Sequence, residues 1–295
     1  MTAIHARTAH RPRMDATPFT LRAAVLALAR IEGPRLIGHP IVVAGIGLSV
    51  AFTLSLASAS SVGGDYFALL GPTLLPLGLA TLVVSNLAAL RCRRGGTGEL
   101  YGAIAAPAHA RTLAHLLALA WPTAVAALLV ALAFIWFGAA DGLDVTREGR
   151  MATPAAVDLA QGPLAVAAFG ALGIALARWI PHPAVAMVAA VGLFFPQMMF
   201  TAWNLQDRAG WFLPLVNPAQ SSRAPDSSWP CSADQQWPCI LDGFAALHWH
   251  LVYLPALTVL LAALALLRDG RRRWDLLVAA TALAVVVLAG ALQLP

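Results

Sequence analysis

Apolar runs of bilayer length alternate along this chain with short segments where arginine, glycine and proline collect. Seven such runs stand out: Ile41–Ala59, Phe67–Leu90, Leu113–Gly138, Pro163–Ile180, Ala184–Trp203, Leu247–Leu267 and Leu276–Leu294. A helix needs about 20 apolar residues to cross the hydrocarbon core. Each run is therefore read as a transmembrane span; the last, short and terminal, is either an added span or a surface helix. Ahead of them, residues 1–16 carry Arg7, Arg11 and Arg13 with little apolar content, which predicts a disordered tail. Leu21, Val25, Leu28 and Ile31 then recur three or four apart, with Arg22, Arg30 and Glu32 between them. That is a helical stripe. Thr17-Pro18 reads as its N-cap and first helical position, and Gly33-Pro34 as its stop. The pattern predicts an amphipathic interfacial helix over 17–36; the alternative is a plain polar tail.

Composition turns this pattern into a membrane protein. Hydrophobic residues make up 59% and charged residues 11%, with a mean hydropathy of +0.74. A soluble domain carries about 25% charged residues. The net charge of +5 comes with no lysine at all, and its arginines lie beside the spans. They read as topology-setting charge rather than a nucleic-acid surface. The first uncharged apolar run begins near Ile37, and no cleavable leader is read before it.

Arginine also sets the sides. Arg7, Arg11, Arg13, Arg22, Arg30 and Arg35 precede span one; Arg91, Arg93, Arg94 and Arg111 separate spans two and three. Arg178 closes span four, and Arg268, Arg271, Arg272 and Arg273 separate spans six and seven. The other side keeps Arg147, Arg150, Arg208 and Arg223. The expected topology has a cytoplasmic N-terminus and, for seven spans, an external C-terminus. Cys231 and Cys239 fall in the long external segment Asn204–Ala246, and Cys92 on the inner side. A disulfide belongs to the oxidising compartment, so Cys231–Cys239 is the expected bridge, against unlinked or metal-binding thiols. The same segment holds Trp211, Trp229 and Trp237, a residue type that favours the headgroup level.

Chemistry-bearing patterns are sparse. No P-loop is present, no acidic pair suits magnesium, and no Asp, Glu, Lys or Arg lies mid-span. Polar or adaptable positions within spans are Asn86, Gln197, Met198 and Met199. They are candidates for a cargo path; the bland alternative is helix-to-helix hydrogen bonding and kink filling. His248 and His250, two apart on a helix, do not share a face and make a weak metal pair. No metal or other cofactor is expected on this chain.

The stretch Arg91–Arg111 is the longest interior run that is basic, glycine-rich and poor in bulky apolar residues. Here the chain resembles the membrane subunit of bacterial ABC transporters of the ABC-2 type. The resemblance rests on the helix within Thr17–Leu36 leading through Arg-Leu-Ile-Gly-His-Pro into span one. It rests also on the Glu99-Leu100 pair with Pro107 and Arg111 beyond it, and on Trp211-Phe-Leu-Pro-Leu-Val-Asn-Pro218 in the long loop. It covers most of the chain up to Leu267 and implies an all-α polytopic fold of six core spans, here with a seventh. The permease domain would cover 37–267 and an appended basic loop and span 268–295. The family's coupling helix would fall on about Glu99–Arg111, with the Glu99-Leu100 pair opening it, Glu99 and Arg111 offering charge and Tyr101 and Ile104 an apolar plug for a cleft. A second, shorter element would fall on Arg178–Pro183, including His182. The alternative for both is topology-setting charge with no partner.

The resemblance further implies a dimer of such chains, or a pairing with a sister chain, in the plasma membrane, moving a lipid, drug or peptide. Separate P-loop ATPase subunits would bind ATP and Mg. The chain itself would not be an enzyme. Rival readings are an ion-coupled transporter and a non-transporting membrane enzyme, sensor or immunity subunit.

Overall fold

The computed structural model describes residues 21–58, 73–94, 107–139, 156–202, 248–270 and 273–292, all in helices or the turns between them. The elements are α1 (Leu21–Ile37), α2 (Pro40–Ser58), α3 (Leu75–Arg94), α4 (Ala108–Ala118), α5 (Ala120–Ala139), α6 (Ala156–Trp179), α7 (Pro183–Ala202), α8 (His248–Asp269) and α9 (Arg273–Leu292). The expected N-terminal tail, the Thr17-Pro18 cap, Glu99, Leu100, Tyr101, Ile104, Cys231 and Cys239 lie outside the described residues.

Each apolar run of the sequence meets a helix among the described residues. Among the described residues, four stretches are long and apolar enough to cross a membrane: Ala108–Trp136, Leu159–Trp179, Trp249–Asp269 and Arg273–Leu292. Leu21–Ile37 and Pro40–Ser55 pass that test together as a pair bent by 59°. Leu75–Arg91 and Pro183–Phe195 are shorter apolar helices. Outward-facing positions are large and apolar, with Val188 at 69% and Ile135 at 64% exposure. Such faces suit a lipid solvent and not water.

The leading helix differs from the sequence pattern in two ways. It does not stop at Gly33-Pro34 but runs to Ile37, where Gly38 N donates to Pro34 O at 2.9 Å and the chain turns into α2. Gly33 serves a close approach instead: a Cβ there would collide with the Trp121 ring of α5. Its buried stripe is Val25, Ala29, Gly33 and Leu36, and Leu21 and Ile31 of the expected stripe are exposed. Small side chains let α1 lie close against Ala110 and Ala114 of α4.

Span three also begins earlier than the apolar run suggests. Pro107, extended at φ −62° and ψ 157°, caps α4, and α4 passes through Leu119 into α5. Arg111 therefore sits in the opening turns of a helix that continues into the candidate span, and the expected Glu99–Arg111 helix is not a single separate element at its far end.

The centre is the α3–α6 pair. Lipid tails are as apolar as leucine, so helices in a bilayer associate through close packing and interhelical hydrogen bonds. Gly173 of α6 lies so close to Leu82 O and Ser85 Oγ of α3 that no Cβ fits. Ser85 Oγ donates to Gly170 O at 2.9 Å, and Asn86 Nδ2 to Gly173 O at 3.1 Å. On one flank α2 packs on α3, where Leu77 N donates to Ser49 Oγ at 3.3 Å. On the other, α8 packs on α6 and α9 on α8.

Candidate functional site

Two helices far apart in sequence end side by side. Arg178, in the last turn of α6, lies with Nη1 3.7 Å from Oδ1 of Asp269, the last residue of α8. Both are C-terminal, so the two helices run parallel. An aspartate at a helix C-terminus meets the negative end of the helix dipole. Asp269 is held there by Arg178 on one oxygen and by the Thr112 hydroxyl of α4, which donates to Oδ2. The carboxylate is only 9% exposed and the guanidinium 14%. Removing one member of a buried charge pair strands the other, at a cost of about 3–5 kcal/mol when burial is complete.

A second ionic cluster belongs to α1. Glu32 takes Arg35 Nη1 at 3.1 Å on its own helix and Arg91 Nη1 at 3.3 Å from α3. His115 of α4 lies within electrostatic reach of both clusters, through Glu32, Arg91 and Arg178. Its Nδ1 is buried without a hydrogen-bond partner. Five helices, α1, α3, α4, α6 and α8, thus contribute polar groups to one end of the bundle.

The predicted site residues fall unevenly with respect to this end. Pro107, Arg111 and Arg178 all belong to it. His182 caps the next helix: its Nδ1 accepts Ala184 N at 3.2 Å, ahead of Pro183 at the start of α7. His39 does the same before Pro40, accepting Ile41 N at 3.3 Å. These two His-Pro steps are local helix starts. Asn86 is fully buried in the α3–α6 seam, bonded to Gly173, which is the helix-to-helix role. Gln197, Met198 and Met199 are on α7, with side chains outside the described residues. No group of three or more metal-ligating side chains occurs among the described residues.

Sequence reading singled out neither Asp269, Thr112 nor Glu32 as site residues. Asp269 had a signal: an acid set between Arg268 and Arg271 at the end of a span. Glu32 had one too, as the one acid of residues 17–36, among Arg22, Arg30 and Arg35. Thr112 had none, because a threonine in an apolar helix ordinarily bonds its own backbone.

The arrangement joins a hydroxyl, a carboxylate and a guanidinium from three helices. It can hold helix ends together and pass displacement from one to another. No protein-family model, curated protein or solved structure matches the chain.

Proposed function

We propose that this chain is the membrane-spanning permease subunit of an ATP-driven exporter of the ABC-2 type. In this reading its arginine-rich end faces the cytoplasm and meets a separately encoded P-loop ATPase. The observation that carries the reading is the Thr112–Asp269–Arg178 link. It joins the helix that follows residues 95–106 to the two helices α6 and α8, and Arg178 itself opens the second proposed coupling element. A push on Glu99–Arg111 would move the first turns of α4. The hydrogen bond from Thr112 would carry that movement to Asp269, and the ion pair would carry it to α6. The α1 cluster would tie the leading helix, lying in the interface, to the same movement through Arg91 of α3. Two copies of the chain, or one with a sister chain, would frame a mainly apolar path for a lipid, drug or peptide.

The test is the Glu99→Arg variant in a reconstituted complex. The expected result is ATP hydrolysis that no longer drives transport, in a protein that still folds. Transport at the unaltered rate would sink the coupling role.

A further inference from the structure

α6 and α8 keep one register from end to end. Arg178 meets Asp269, and Trp179 Nε1 donates to Leu264 O at 3.0 Å. Ala171, Ile174 and Ala175 then pack with Leu261 and Ala265. Leu164 and Ala165 come next, against Tyr253 and Leu254. Residues three and four apart share a helix face. One turn further from the arginine end, the same two faces therefore carry Gln161 and His250.

Both are buried, Gln161 at 2% and His250 at 1% exposure. Neither Nε2 nor Oε1 of Gln161 has a hydrogen-bond partner, although both atoms are buried. The His250 ring stacks on Tyr253 with centroids 5.7 Å apart and 20° between planes. Trp249 packs against the same cluster. A buried amide with every donor and acceptor unmet is unfavourable in protein and more so in lipid. A leucine would fill a similar volume with no such cost. Native structures rarely leave such groups without a reason.

We propose that Gln161 and His250 form the polar end of a binding site for an amphiphile with an uncharged, hydroxyl-bearing headgroup. Its tail lies along Leu164 and Leu254 as the ends of α6 and α8 part to admit it. A carboxamide presents two N–H donors and a carbonyl acceptor. A hydroxyl both donates and accepts, so it answers both sides of the amide. Tyr253 and Trp249 supply rings with an apolar body and one polar atom, suited to a headgroup boundary. A carboxamide is itself uncharged, so its natural counterpart is a neutral group that both donates and accepts. The proposal holds whatever motor drives the chain, so its test is separate from that of the coupling role.

The experiment uses the full chain in phosphatidylcholine nanodiscs. The probe is a monoacylglycerol with a diazirine in its acyl chain; diazirine palmitate is the charged comparison. After illumination, adducts are mapped by peptide mass spectrometry. Monoacylglycerol adducts are expected within 156–179 and 248–269, near Gln161 and His250. Gln161→Leu should cut them at least fivefold without lowering Tm, and His250→Phe, which keeps the stack on Tyr253, should do the same. Palmitate should label these positions at least fivefold less. Labelling unchanged in both variants, or equal labelling by palmitate, overturns the proposal. So does a clear fall in Tm for Gln161→Leu, which would give the amide a purely structural bond. Absent labelling with a raised Tm overturns it as well, leaving an unused or water-bound amide.

Discussion

The two ends of the α6–α8 pair treat polar groups in opposite ways. At the arginine end, Asp269 has Arg178 and Thr112, and three helices are tied through one carboxylate. At the far end, Gln161 is as deeply buried but meets nothing with either amide atom. The middle is the same apolar packing throughout. The contrast teaches where the pair resists separation. Parting the arginine end means stranding charges out of water. Parting the far end breaks no bond at Gln161 and gives its amide access to partners. Under the proposed function, the arginine end is where a push arrives and the far end is where the helices open.

The harshest way to break the comparison is to remove the frame that holds both ends. Gly173→Leu drives a side chain into Leu82 O and Ser85 of α3. The expected cost is about 3 kcal/mol or more, seen as loss of the monodisperse peak in size-exclusion chromatography. A well-behaved variant would mean that α3 and α6 are not packed this closely. Next comes Arg178→Leu, which strands Asp269. With the pair at 9–14% exposure, the expected loss is about 3 kcal/mol, toward the low end for buried pairs, read by thermal scanning in detergent. Arg178→Asp with Asp269→Arg should recover part of that loss, since residues in contact do not add. Simple additivity of the two changes would deny the ion pair.

Gln161→Leu sharpens the comparison from the other end. It removes two unmet groups, so stability should stay level or rise by about 1 kcal/mol. A loss of that size would place a hydrogen bond on the amide. The smallest effect belongs to Arg35→Ala. Arg35 is 60% exposed beside Glu32, and such a pair contributes under about 0.5 kcal/mol. A larger shift in thermal scanning would show that the α1 cluster acts as a unit with Arg91.

The helices were legible because length and composition decide them. Each of the seven apolar runs meets a helix among the described residues, four of them long and apolar enough to cross a membrane. Starts differ by up to seven or eight residues, as at Ala156 and Leu75, while the end of span four at Arg178 was read directly. Helix ends governed by tertiary contact were not legible. Gly33-Pro34 looks like a stop, yet the Trp121 ring packs on Gly33 and α1 continues. Periodicity put Leu21, Val25, Leu28 and Ile31 on one stripe, of which Val25 is buried and Leu21 and Ile31 are exposed. The close helix pairing instead selected Ala29 and Gly33, which are small. The arginine end was half legible. Charge pattern found Arg111 and Arg178, whereas Asp269 and Thr112 depend on a meeting between segments 157 residues apart. At the far end, Gln161 looks like an ordinary polar residue at a span boundary, and only its burial makes it unusual.

The most direct test of the account is purification of the tagged chain from its own membranes in mild detergent, followed by mass spectrometry of what accompanies it. The account predicts a P-loop ATPase subunit that co-purifies with the chain and is lost when Glu99, Tyr101 and Arg111 are altered together. A chain that comes down alone or only with copies of itself, with ATPase absent from every preparation, would contradict it.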